Sequence, residues 1–255
     1  MMNEDEAREE NPSGAGEPAK PMPASPGLVT TFETLLKAPV SLVAALLKGD
    51  DAGAIMRNLI VTAIACLAVF GSIVGTYSMG TQLWAAPLKI TLGMLAAGLI
   101  CLPSLYIFAC LNGLDLKFAS AAGVLFATIC MTALLLLGFT PVVWIFSQST
   151  ESLAFMGALA LAFWLISAFF GFGVIIKTAE HLGLKRRSHL TVWMGIFVLV
   201  VLQMSTSLRP IVGESDQFLS GEKKFFLSHW SEQLQAETRA QNVRLPEQAE
   251  VLPRN

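Results

Sequence analysis

Five apolar stretches, at approximately 58–79, 90–112, 118–146, 153–176 and 190–208, have no ionisable residue in their middles. An apolar helix needs about 20 residues, at about 1.5 Å each, to cross a hydrocarbon core of about 30 Å. Each stretch meets or nearly meets that length. The fold class that follows is an all-α integral membrane protein, a bundle of about five transmembrane helices with flanking amphipathic helices. Composition agrees: the chain is 14% charged, against about 25% in soluble domains.

The charge is unevenly spread. Residues 1–57 hold five Lys/Arg and nine Asp/Glu, residues 58–208 hold six and three, and residues 209–255 hold six and seven. The net charge of −2 therefore combines an acidic head, a sparsely charged body and a nearly neutral tail. No region is basic enough to point to nucleic acid. The cysteines, Cys66, Cys101, Cys110 and Cys130, all fall within apolar stretches and lack CxxC spacing. They read as small hydrophobes, neither a disulfide framework nor a metal set.

Four segments follow along the chain. Residues 1–27 form an acidic, Pro-rich head with Glu4-Asp5-Glu6 and little that could be buried; such a segment is expected to be disordered. It lacks the basic-then-apolar layout of a secretory signal, so the first span is expected to act as an internal anchor. Residues 28–57 read as an interfacial amphipathic helix. Phe32, Leu35, Leu36, Val40, Val43, Leu46 and Leu47 follow a helical period, and Thr30 and Glu33 have capping-box spacing. Pro39 is expected to kink or divide this helix. The helix either lies in the headgroup region or packs on the bundle.

Residues 58–208 form the five-span membrane domain. Its third stretch is longer than one span needs, and Gly138 and Pro141 are expected to end its helical core near 138. Residues 139–146 would then run along the interface, unless the whole stretch is one strongly tilted helix. Residues 209–255 form an extramembrane tail with an amphipathic aromatic helix, in which Phe226, Trp230 and Leu234 are spaced i, i+4, i+8. This helix either docks a partner or rests on the bilayer or its own bundle.

Basic residues set the expected orientation. Lys37, Lys48 and Arg57 precede the first span, Lys117 lies in the second loop, and Lys177, Lys185, Arg186 and Arg187 lie in the fourth. With five spans these share one side, while the first loop offers only Lys89 and the third none. The N-terminus is therefore expected on the cytoplasmic side and the C-terminus opposite.

Candidate sites are sparse. Gly71 and Gly75 form a GxxxG, and Ser167 and Gly171 a small-xxx-small pair, which suit close helix packing either within the chain or between copies. Lys89, Lys117, Lys177 and Arg209 are expected at span ends, where their stems let the ammonium or guanidinium reach the headgroups. Pro103 leaves a carbonyl without its donor, which Ser104 or a neighbour could satisfy. A path through the bundle, if present, would run near Pro103, Tyr106 and Gln203. His181 and His189 share the fourth loop with Glu180 but fall short of HExxH. Nucleophile elbows and phosphate-cradling loops are also missing. The chain reads as non-enzymatic, with no cofactor, catalytic residue or metal site.

The segment Trp84-Ala-Ala-Pro87-Leu88-Lys89, then Leu102-Pro103-Ser104-Leu105-Tyr106 and Gly113, resembles a pattern recurring in a family of uncharacterised bacterial polytopic membrane proteins. The run Gln203-Met204 to Leu208-Arg209-Pro210 and Gly213 has the same character. The five-span layout with a long head is also similar, in architecture, to the Yip-type membrane family. The first resemblance implies a bacterial cytoplasmic (inner) membrane location, and neither brings active residues. Two functions are expected. One is a scaffold or accessory subunit that organises partners at the membrane, in contact with lipids and with a membrane protein or a second copy. The other is a small permease or channel subunit without proton coupling.

Overall fold

The computed structural model describes residues 27–49, 51–77, 82–114, 116–150, 152–184 and 187–207. These residues form seven α-helices and no strand: α1 (Leu28–Lys37), α2 (Pro39–Lys48), α3 (Ala52–Thr76), α4 (Gln82–Leu111), α5 (Phe118–Ser149), α6 (Leu153–His181) and α7 (Arg187–Ser207). The last five are long and apolar enough to cross a membrane. The tail residues Phe226, Trp230 and Leu234, the head, and Lys185 and Arg186 lie outside the described residues.

Pro39 divides the N-terminal helix. The chain leaves α1 at Ala38, and Pro39 opens α2, where its missing N–H is no loss. The cap differs from the expected capping box. Gly27 occupies the N-cap of α1, so Thr30 already lies in the first turn. Thr30 gives its carbonyl to Thr34 Oγ1, and Glu33 pairs forward with Lys37. Gly49, with φ at 86°, ends α2, and Asp51 enters α3 from the left-handed region at φ 53°. Asp tolerates that conformation better than bulkier residues do.

The helix pair does not lie free of the bundle. Leu35, Leu42, Val43 and Leu46 are buried against α3, α5 and α6. Leu46 seats on Gly123 of α5, where a Cβ would lie 3.2 Å from its Cδ1. Asn58 Nδ2 donates to Thr31 Oγ1 at 3.2 Å, tying α1 to α3.

Within the bundle α3, α4 and α5 pack on one another, α6 flanks α5, and α7 flanks α4. Helices α6 and α7 barely touch. The most enclosed span is α5, and it does not end near Gly138. It runs through Pro141 to Ser149. Packing explains this. Val143 and Ser147 are buried beyond the proline, and Phe139 stacks on Phe163 of α6 at 4.6 Å. Local hydroxyls also bind carbonyls there: Thr140 Oγ1 donates to the Leu136 carbonyl and Ser147 Oγ to that of Trp144.

Several boundaries move outward from the apolar stretches, and those of α3, α4, α6 and α7 carry charges inside the helices. Helix α3 begins at Ala52 and contains Arg57, which is exposed. Helix α4 begins at Gln82 and contains Lys89 in its third turn. Lys89 is 1% exposed, so it does not snorkel along the outside of the bundle. It falls on the inward stripe of α4 with Ala86, Ala97, Cys101, Leu105 and Ala109, and the helical register leaves it no other direction.

Candidate functional site

Polar groups inside an apolar bundle need partners, because lipid and aliphatic side chains offer none. In this protein several of them, Ser104, Asn112, His189 and the Trp193 indole, meet along the contact of α4 with α7. Pro103 lacks the N–H that would bond to the Leu99 carbonyl. One residue on, Ser104 Oγ donates to the Cys101 carbonyl at 2.7 Å. Trp193 of α7 is fully buried, and its Nε1–H points at Ser104 Oγ (3.0 Å) and the Cys101 carbonyl (3.3 Å). Its ring leans on Phe197, which meets Phe172 of α6 edge-on at 5.8 Å.

Two turns further on, just past the end of α4, Asn112 Nδ2 donates to the Phe108 carbonyl at 2.9 Å. That bond turns Asn112 Oδ1 toward His189 Nδ1, 3.2 Å away. An amide oxygen only accepts, so Nδ1 carries the proton in this pair. His189 therefore belongs to the first turn of α7 and to the α4–α7 contact, not to the loop. Glu180 at the end of α6 pairs with Arg187 at the start of α7 and straps the connection between them.

Beneath these contacts lies a small cavity of about 20 Å³, room for about one water. Leu105, Ala109, Val124, Ile175, Thr178 and Leu190 contribute to walls from four helices. Thr178 Oγ1 is buried without a hydrogen-bond partner among the described residues.

The residues singled out from the sequence are distributed as follows. Gly71 lets α3 meet α4: a Cβ there would lie 2.5 Å from Pro87 Cα. Gly75 is buried one turn on. Gly171 meets α5, where a Cβ would lie 2.1 Å from Thr132 Oγ1, and Ser167 is fully buried one turn before it. Both small-residue pairs thus serve contacts within the chain. Pro103 sits on the exposed stripe of α4 with Leu99, Ile100, Ile107 and Leu111. Gln203 continues the exposed stripe of α7 with Val192, Ile196 and Leu199. Tyr106 is half-buried, edge-on to Phe118 at 5.7 Å. The three are not brought to a common lumen.

Trp193, Asn112 and Asn58 escaped the sequence reading, although each had a legible signal. A tryptophan N–H or an asparagine amide inside or beside an apolar stretch must find an acceptor. Among the described residues no three His, Cys, Asp or Glu side chains come together as a metal site. No protein-family model, curated protein or solved structure matches this chain.

Proposed function

We propose that this protein is a non-enzymatic membrane scaffold or accessory subunit that organises partners at the membrane surface. The observation that carries this reading is the two-sidedness of α1. Its inner face is tied down by Leu35 and by the Asn58–Thr31 bond, while Leu28, Val29 and Phe32 stay exposed, Val29 by 75%. A helix held in place on the bundle with an apolar outer edge suits contact with a second membrane component. The outward position of Pro103 and Gln203 further favours this reading over a path through the bundle. The resemblance to a pattern in bacterial polytopic membrane proteins supports a bacterial cytoplasmic membrane, and the basic-residue asymmetry supports a cytoplasmic N-terminus with the C-terminus opposite.

The test is purification from native membranes under gentle solubilisation, comparing the full chain with a Val29→Asp/Phe32→Asp variant. A stoichiometric companion retained by the first and lost by the second supports the scaffold reading. A partner-free preparation in both cases overturns it. A reporter fused after Asn255 that is active only in the cytoplasm should stay silent.

One observation favours the second reading, a permease or channel subunit: the burial of Lys89 on the inward stripe of α4. Ionisable residues within spans commonly mark substrate or ion routes. Flux through proteoliposomes that is abolished by Lys89→Met would shift the assignment to transport.

A further inference from the structure

We infer that Trp84 and Trp144 form a paired lipid anchor, with both indoles in the ester and headgroup layer of one leaflet. That leaflet is the one at the α3–α4 and α5–α6 connections. The anchor goes beyond the scaffold reading and does not depend on it, because lipid surrounds the bundle in either case.

The common level of the two indoles is the first argument. Tyr106 meets Phe118, and Gly98 meets Ile129, where a Cβ on the glycine would lie 2.6 Å from Ile129 Cδ1. Contacts in that order make α4 and α5 antiparallel and fix their register. From the Gly98–Ile129 contact, Trp84 lies 14 residues along α4 and Trp144 lies 15 residues along α5, toward the same end of the bundle. At about 1.5 Å per residue, these are heights of about 21 Å and about 23 Å. The rings of Phe146 and Phe155, 5.6 Å apart and both exposed, carry the same aromatic level across to α6.

Exposure is the second. Trp84 is 81% exposed and Trp144 51%, whereas Trp164 is half-buried and Trp193 fully buried. Trp84 heads the exposed stripe of α4 that continues through Leu88 and Leu92, and Trp144 follows Pro141 on the exposed side of α5. An indole has an apolar ring and an N–H that needs an acceptor. Neither bulk hydrocarbon nor bulk water suits both parts, and the boundary between them does.

Thickness completes the case. Lys117, exposed at the start of α5, lies 27 residues from Trp144, or about 40 Å. That spacing matches a bilayer of about 40–45 Å with its headgroup regions. A hydrocarbon core set between them leaves the Lys117 ammonium at one surface and both indoles at the other. A partner protein covering either indole would require no common level on two helices, whereas a flat lipid boundary does.

The test is tryptophan fluorescence of the full-length protein in phosphatidylcholine vesicles. The acyl chains carry bromine either close to the ester, at carbons six and seven, or deeper, at carbons eleven and twelve. Bromine quenches only at near contact, so the comparison reports depth. The signal of each indole is the difference between the wild type and Trp84→Phe or Trp144→Phe. Both substitutions are at exposed positions and should leave the unfolding midpoint unchanged. Each difference signal is expected to be quenched severalfold more by the shallow bromines than by the deep ones. Stronger quenching by the deep bromines would overturn the proposal, as would different depths for the two indoles. Absence of quenching by either lipid would also overturn it, since water, a second copy or another protein would then cover the indoles.

Discussion

The indole N–H of Trp193 donates to Ser104 Oγ across 3.0 Å, joining the last span to the second over 89 positions of sequence. Ser104 in turn donates to the Cys101 carbonyl, not to the Leu99 carbonyl that Pro103 leaves without its donor. Since α7 packs chiefly on α4, this contact does much to hold the fifth span in place.

Trp193→Phe keeps most of the ring and loses the donor. The expected loss is about 1 kcal/mol, the usual net worth of one hydrogen bond. Trp193→Ala also leaves a cavity and should lose about 3–5 kcal/mol. Reversible unfolding in mixed micelles measures both. A Phe variant as stable as the wild type would mean the bond contributes nothing.

Gly71 and Gly138 make a matched pair. A side chain at Gly71 meets the Pro87 backbone at 2.5 Å, whereas a Cβ at Gly138 meets nothing within 4 Å. Gly71→Leu should therefore force α3 from α4 and destabilise by about 1–3 kcal/mol. Gly138→Ala should be neutral or stabilise by up to about 1 kcal/mol through helix propensity. Unfolding midpoints of the two variants should move apart; parallel behaviour would refute the close contact.

Asn58→Leu removes the donor to Thr31 Oγ1, which keeps its own bond to the Gly27 carbonyl at 2.9 Å. Loss of about 0.5–1.5 kcal/mol of docking should speed amide exchange across residues 28–48. Exchange across α5 should not change. Equal acceleration in both would indicate global destabilisation rather than release of α1.

The Lys37 side chain, bonded to Glu33, holds the Glu33 carboxyl below its ordinary value of 4.5. Because the folded value lies below the unfolded one, the contribution of this pair is complete above 4.5. It is lost as pH falls through the lowered folded value. Intrinsic-rate-corrected protection of α1 should therefore weaken on acidification, by a small amount because the pair is exposed. Glu33→Gln should remove that dependence.

Much of the architecture was legible because the bilayer imposes one rule on every span: length and apolarity. The stretches around 58–79 and 118–146 announce α3 and α5 on that ground alone, and Pro39 announces the break between α1 and α2. The helix ends were less legible. Hydropathy marks where a segment leaves hydrocarbon, while a helix continues as long as packing supports it. Val143 and Ser147 carry α5 past Pro141 for that reason, and the inward register of α4 carries Lys89 under cover.

The sequence by itself determined that this chain crosses a membrane, and about how often, since each span satisfies its own backbone and needs no distant partner. It also determined where small residues permit close approach. Only the tertiary structure decided which helices use that permission: Gly71 against Pro87, Gly171 against Thr132. It alone paired Trp193 with Ser104, His189 with Asn112 and Asn58 with Thr31, and set Pro103 and Gln203 on outer faces. The physical reason is that a span's apolar pattern is nearly uniform around its axis, so hydropathy carries little information on rotation. Rotation is chosen by side-chain fit and by the few buried donors that must reach an acceptor on another helix.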